Sequence, residues 1–440
     1  MTTSIPARLS AEAVIPLGTL DPAAPPDDLG WLDEVVGDAR VVAIGESAHY
    51  NAESYLLRHR LCRYLVERHG FGAYALEPGF TEGWAVDAWV RGGADADQPG
   101  RSMGDGMVSL MLMWTQVRAH LEWMRRHNAT AARPVGYYGI DLGGANASPL
   151  TGLDAVTAYL ARADPDFEVD PGLRETAASF APPSPFSAPA AFAAYGGLPA
   201  GTRDAFTAGL AELAARMNGR RLTYRQRTGT DAHERALRSL HLLTALDTVV
   251  RAMARGDVPT AMFTRDAAMA DTVEWILRRE DRIVLAAHDA HVQRHPAALP
   301  GMPAFTPLGM HLADRLGEDY RVVGTTTGTG RTLNTGPDFY AGALFTELGA
   351  PEPDSLDGLL HASHDGPFAT DLRRLPPADT GAVRAVTRQR LGASYSDVSP
   401  LDAYDALVHL PHVTAAEPDE DALARSPEEV REAFTRWRAR

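Results

Sequence analysis

Four short stretches carry side chains suited to moving protons. The first is V-V-A-I-G-E-S-A-H at 41–49, where an apolar run stops at Gly45 and Glu46, Ser47 and His49 follow at once. The second ends at Glu77, the third at Asp141, and the fourth, A-A-H-D-A-H-V, holds His288 and His291. Histidine has the ordinary pKa nearest neutrality, so it can take a proton from water and return it to a leaving group. A carboxylate on its other ring nitrogen fixes the tautomer and stabilises the imidazolium. Glu46, three residues before His49, and Glu77 are both fit for that task.

Two other chemistries compete for these residues. G-E-S-A-H comes within one residue of the nucleophile elbow G-x-S-x-G, with His49 where the last Gly belongs. That Gly permits close packing which His cannot, and too few residues precede the stretch for an elbow on a central strand. Ser47 is therefore read as a small residue in a tight loop. H-x-x-H at 288–291, joined by His49, Glu46 and Glu77, makes a zinc or manganese site chemically possible. No H-E-x-x-H is present, and the expectation is no metal and no cofactor. Arg58, two and a half turns into the next helix, either pairs with a glutamate or steadies an oxyanion.

The elements that must position these groups follow from periodicity. Apolar runs predict strands at Val41–Ile44, Tyr74–Leu76, Val135–Ile140, Ile283–Ala287 and Tyr320–Thr325. A helix begins after Asn51, repeats Leu57, Leu61 and Leu65, and stops at Gly70. Further helices are expected over 81–90, 107–127 and 202–255. The Met-rich face of 107–124 reads as core, with a substrate wall as the minority reading. The Pro/Ala/Ser-rich 177–200 reads as a long connection or lid. The alternation predicts an α/β fold with a mainly parallel central sheet flanked by helices and a helical inserted subdomain. The expected division is an α/β core at 31–150 and 256–415, a helical insert or lid at 151–255, a loose lead-in at 1–30 and a helical tail at 416–440. Ligands of such sheets bind beyond the carboxyl ends of the strands. Glu46, Glu77, Asp141 and His288 all stand at such ends and should gather at one rim.

Composition narrows the partners. The net charge of −15 argues against nucleic acid or an anionic membrane. All 42 basic residues are Arg, which excludes lysine Schiff bases and P-loops. Cys62 is the sole cysteine, so intrachain disulfides and cysteine-rich zinc modules are excluded. No apolar run long enough to span a membrane and no signal-peptide pattern is seen, so the expected setting is cytoplasmic and the expected partner a small molecule.

Taken together, these blocks resemble the erythromycin esterase family. They comprise I-G-E-S-A-H-Y-N-A-E, the run from Arg58 to Glu77, W-M-R-R-H-N, Y-Y-G-I-D, R-D-A-A-M-A-D-T-V-E-W-I-L from Arg265, A-H-D-A-H-V, L-G-M-H-L-A-D-R-L-G and Y-D-A-L-V-H, in that order over 38–414. The resemblance implies hydrolysis of a macrolactone ester, with histidine as base for water and no acyl-enzyme. It implies that Glu46, His49, Arg58, Glu77, His288 and His291 are catalytic. Tyr50, Trp114, Asp141 and Arg265 are the candidate substrate contacts. Two positions depart from the family pattern. Tyr50 stands where Gly is usual and adds bulk beside the base. Asp289 stands where Asn is usual, and is expected to add a negative charge that raises the proton affinity of its neighbours.

The resulting reading is a metal-independent hydrolase of a bulky polyketide-like ester or lactone. His49 deprotonates water, and His288 with Arg58 stabilises the oxyanion. A tailoring enzyme performing cyclisation, elimination or acyl transfer, and a non-catalytic antibiotic-binding protein, are the alternatives.

Overall fold

The computed structural model describes residues 8–93, 110–298 and 303–439. Its strands are β1 (Ile15–Pro16), β2 (Val41–Ile44), β3 (Ala73–Gly79), β4 (Gly136–Asp141), β5 (Ile283–Ala286), β6 (Tyr320–Leu333), β7 (Phe345–Leu348), β8 (Phe368–Asp371), β9 (Arg388–Leu391), β10 (Ser394–Asp397) and β11 (Ala406–Val413). Among the described residues, nine of them form one sheet in the order β1-β8-β11-β6-β2-β5-β3-β4, with β7 on the far half of β6. From β11 to β4 every pair is parallel, and β1, β7 and β8 join antiparallel. The fold is thus α/β with a mostly parallel central sheet.

The apolar runs are continuous because both faces of the sheet are covered. In β2, alternate side chains point to opposite faces. Val42 and Ile44 pack with Leu57, Leu61 and Leu65 of the helix Ala52–His69, and Val41 and Ala43 join Val273 and Ile276 of the helix Val258–Leu277. Gly70 ends the first of these helices in the left-handed region at φ 68°, its N–H returning to Val66 O at 3.2 Å. Asn51 precedes that helix but does not cap it; its amide bonds the carbonyls of Arg331 and Thr414 instead.

Several expectations change. The helix expected over 107–127 runs from Thr115 to Asn128. Trp114 is extended (φ −117°, ψ 139°), and Leu110–Leu112 form a separate turn; Met107 lies outside the described residues. The segment 177–200 is mostly helical, with Pro171–Phe180, Ala188–Gly197 and the start of Ala200–Gly219, and it buries Phe180, Phe186 and Tyr195. Residues 8–30 are not a loose lead-in: Leu9, Leu17 and Leu29 are buried and β1 extends the sheet. The helices Leu150–Ala163, Pro171–Phe180, Ala200–Gly219, Arg221–Thr228 and the first part of Thr230–Met253 share a core around Leu153, Leu160, Phe206, Leu213 and Leu240, while Tyr195 and Leu246 join the main core. The last helix, Glu428–Arg438, sinks Val430, Ala433 and Phe434 into the main core.

Candidate active site

Register brings the strand ends level. Ile44 pairs with Ala286, and Ala286 with Leu76, so the residues just beyond them emerge side by side. Glu46, His49, Glu77 and His288 follow these three ends. β3 carries an irregularity between Leu76 and Gly79, before Gly79 pairs with Asp141 of β4. A bulge of this kind re-aims a side chain at a strand end. Gly45 is required here: a Cβ on it would fall 1.7 Å from Asp289 Oδ1.

His49 stands at the centre. Its Nδ1 is 2.6 Å from Glu46 Oε1, and its Nε2 is 3.8 Å from Glu77 Oε1. Glu46 therefore takes the inner ring nitrogen and Glu77 faces the outer one. Glu46 is fully buried and ion-paired to Arg58 Nη1 at 2.9 Å. Arg58 spends its other donors on the carbonyls of Ile44 and Ala287. It lies beneath Glu46 and lines neither cavity described below, so it cannot reach an oxyanion.

Glu77 accepts from Arg265 Nη2 at 3.1 Å and from the backbone N–H of His288 at 3.0 Å, with His291 Nε2 3.5 Å away. Burial alone would raise its proton affinity. The facing His49, then His291, Arg265 and His288, outweigh this and hold the carboxyl well below the usual carboxylate range. Arg265 also grips Asp141, with Nη2–Oδ2 at 2.7 Å and Nε–Oδ1 at 3.0 Å. His291 is held through Nδ1 by Asp266 at 2.7 Å. Burial opposes its charged form most strongly, but Asp266 and Glu77 together outweigh it and raise its proton affinity. Asp266 was not anticipated, although it adjoins Arg265 in the R-D-A-A-M-A-D block of the helix Val258–Leu277.

His288 meets His49 edge-on, with ring centroids 5.0 Å apart. Its Nδ1 accepts the Ala290 N–H at 3.1 Å, which leaves the proton on Nε2. Burial, then the neighbouring His49, pushes its proton affinity well below the ordinary value, so the ring is neutral. A neutral imidazole with Nε2–H is a donor for developing negative charge.

Two cavities meet at this cluster. One, of about 300 Å³, is lined by Tyr50, Glu82, Leu110–Leu112, Asp141, residues 143–146, Pro185, Ala188, Phe339 and Tyr340. The other, of about 510 Å³, is lined by Met262, His288, Ala290, His291, Phe305, Thr335, Leu391 and Ser394. His49, Glu77 and Arg265 belong to both. Ser47 is buried and lines neither.

The substrate contacts divide. Tyr50, Asp141 and Arg265 line the smaller cavity; Trp114 does not. Trp114 is fully buried, 5.2 Å from the Tyr50 ring and 5.5 Å from that of Phe434, and so backs Tyr50 from within the core. Tyr50 adopts φ 67°, a left-handed conformation that glycine takes without strain.

Asp289 does not charge the site. It is fully buried, and burial pushes its carboxyl up to about 8 against hydrogen bonds from Thr325. It is protonated at neutral pH and is close to an isostere of Asn. The folded chain thus keeps a proton that the unfolded chain releases above its ordinary value. The contribution of Asp289 to stability accordingly falls as pH rises from about 4 to about 8. Asp289→Asn is expected to be more stable than wild type by about 1–2 kcal/mol at neutral pH, because the donors Thr325 and Gln389 limit the gain. The difference opens across that window and is read as Tm against pH. A gain that is constant from pH 4 to 8 would contradict it.

Among the described residues, Glu46, His49 and Glu77 also offer ligand atoms within 4.8 Å of one another. Those donors are already matched to each other, and the Arg58 and Arg265 guanidiniums beside them disfavour a further cation.

The charged cleft lies at the carboxyl ends of the parallel strands, where such sheets bind their ligands. The family model for erythromycin esterase matches residues 66–413, and the chain belongs to that family. It is 28% identical over 320 residues to erythromycin esterase type II of Escherichia coli, covering 71% of this chain and 74% of that protein. It is 27% identical over 301 residues to the type I enzyme of the same organism, covering 67% and 71%. The fold is similar to that of an erythromycin esterase variant solved in an open conformation, with TM-score 0.74 and 23% identity, covering 90% of this chain and 97% of that one.

Proposed function

We propose that this protein hydrolyses an ester or lactone bond in a bulky, macrolide-like substrate, with His49 as the base for water and without an acyl-enzyme. The observation that carries the reading is the setting of His49, which is bonded to Glu46 through Nδ1 while Nε2 opens on a wall common to two cavities. Glu46 keeps the proton on Nδ1, and Arg58 anchors Glu46 from behind. The free Nε2 lone pair takes a proton as water attacks the carbonyl carbon. The oxyanion receives the His288 Nε2–H. The imidazolium formed on His49 lies between Glu46 and Glu77, which stabilise it. It then returns its proton to the alkoxide as the C–O bond breaks, giving acid and alcohol. General acid–base action is worth roughly 10²–10⁴ in rate and one oxyanion donor roughly 10²–10³. The two cavities suit the acyl and alkoxy parts of a large substrate. Arg265 and His291 keep Glu77 ionised, and neither they nor any other step calls for a metal.

The test is mass spectrometry of a macrolactone panel incubated with chelator-treated protein. The expected product is heavier by one water. An isomer of unchanged mass would favour the tailoring reading, and a tightly bound, unaltered lactone would favour sequestration. Activity lost to chelator and restored by zinc would overturn the metal-free chemistry.

A further inference from the structure

The two cavities differ in what they offer an ester. His288, the donor for the oxyanion, lines the 510 Å³ cavity and not the 300 Å³ one. A carbonyl oxygen that accepts from its Nε2–H therefore lies on the side of the larger cavity. The side chains that this cavity adds to the shared wall are mostly apolar, with Met262, Phe305, Leu333 and Leu391 beside Thr335 and Ser394. Tyr50 lines only the smaller cavity. Its ring centroid is 5.6 Å from that of His49. The ring cannot draw back, because the fully buried Trp114 stands 5.2 Å from it and packs in turn on Phe434. The backbone is pinned as well. Tyr50 O accepts the Ala416 N–H at 2.8 Å, and Asn51 bridges to Ala415. Tyr50 is thereby held at φ 67°, a region costly for a bulky side chain. Strain of this kind collects at ligand sites.

We propose that the ester binds in one direction, its acyl half in the 510 Å³ cavity and its alcohol half in the 300 Å³ cavity, where the Tyr50 ring sets the size of group allowed on the carbinol carbon. The proposal rests on the hydrolase reading above. With the carbonyl oxygen at His288, the acyl chain continues into the larger cavity. There it meets Met262, Phe305 and Leu391, and burying a hydrocarbon chain against them removes apolar surface from water. The leaving oxygen must stay within reach of His49, which returns the proton to it. His49 borders both cavities, and the space left for the alcohol on its other side is the smaller one. The carbinol carbon is the part of that half nearest His49. Tyr50 adjoins His49, so its ring meets the substituent on that carbon. The ring fills the space, and the hydroxyl is not needed for this.

The test uses two series of macrolactones. In one the substituent on the carbinol carbon grows from methyl to tert-butyl, and in the other the substituent beside the carbonyl does. kcat/KM of each variant is read as a ratio to wild type on the same lactone, so that the lactone's own reactivity cancels. Tyr50→Gly suits the backbone at φ 67° and should gain at least about tenfold on the bulkiest carbinol member, with the other series unchanged. Tyr50→Phe should match wild type. Met262→Ala widens the larger cavity and should favour bulk beside the carbonyl alone. The proposal fails if Tyr50→Gly relieves bulk beside the carbonyl instead, relieves neither series, or is matched by Tyr50→Phe. Thermal unfolding of each variant accompanies the rates. Should Tyr50→Gly not fold, Met262→Ala decides the direction: relief confined to the carbonyl side supports it, and any other result overturns it. A wild type inert towards every lactone would bring down the hydrolase reading. A wild type that opens lactones whatever the bulk at the carbinol carbon would leave that reading standing and overturn this one.

Discussion

His49→Ala is expected to fold normally and to lose roughly 10³–10⁵-fold in kcat/KM towards whichever lactone the wild type opens. The fold should survive because His49 sits in a loop at the cleft, about one-fifth exposed, and supports no core packing. The rate should collapse because no other group has the same free lone pair. His288 is protonated at Nε2, and His291 Nε2 already accepts from Arg265 Nη1 at 3.1 Å. A residual rate is expected from the His288 donor and the cavities alone. The check is steady-state kinetics beside thermal unfolding of the same preparation. A variant with unchanged Tm and near-normal turnover would remove His49 from the mechanism.

Arg58→Ala should cost about 3–5 kcal/mol of stability, because it leaves the Glu46 carboxylate buried without its counter-charge. The carbonyls of Ile44 and Ala287, at the ends of β2 and β5, would lose donors as well. Activity should fall with it, since Glu46 would shift or take up a proton and no longer orient His49. A double variant, Arg58→Ala with Glu46→Gln, separates the two effects. It should recover much of the stability, the buried charge being gone, while staying poorly active. Denaturant unfolding of the four proteins of the cycle measures this. If the double variant is as unstable as Arg58→Ala alone, the pairing with Glu46 is not what Arg58 contributes.

The rim of the sheet was legible in the sequence for a physical reason. Strands buried on both faces read as unbroken apolar runs, so the first polar residue after each run marks its carboxyl end. Glu46, Glu77, Asp141 and His288 were found in that way. The second half of β6 was not, because T-T-T-G-T-G carries no hydrophobic pattern. Its glycines instead make room for β11: a Cβ on Gly328 would fall 2.0 Å from Pro411 O, and one on Gly330 1.9 Å from Val413 O. Such close approach is a property of two strands and is invisible in one. Trp114 was misread for a related reason. It fits a helical face with Leu110 and Met111, but its extended backbone breaks that helix and turns the ring into the core. The role of Arg58 required knowing where Glu46 lies above it. The charge of Asp289 depended on burial, which composition does not reveal.

The roof of the smaller cavity has a consequence for how the protein is made. Phe186 stacks on Phe339 at 5.1 Å, Ser187 bonds Glu429 Oε1 at 2.6 Å, and Phe434 supports Trp114, which supports Tyr50 beside His49. These contacts join the middle of the chain to its final helix. β11, beside β6 in the sheet, also comes from the last tenth of the sequence. A chain growing from the ribosome therefore carries all of its proton-transfer residues by position 291 but cannot enclose them until residue 438 has emerged. Domains fold as units once their sequence is complete. Competence then waits on the helix Glu428–Arg438 and not on the proton-transfer residues themselves.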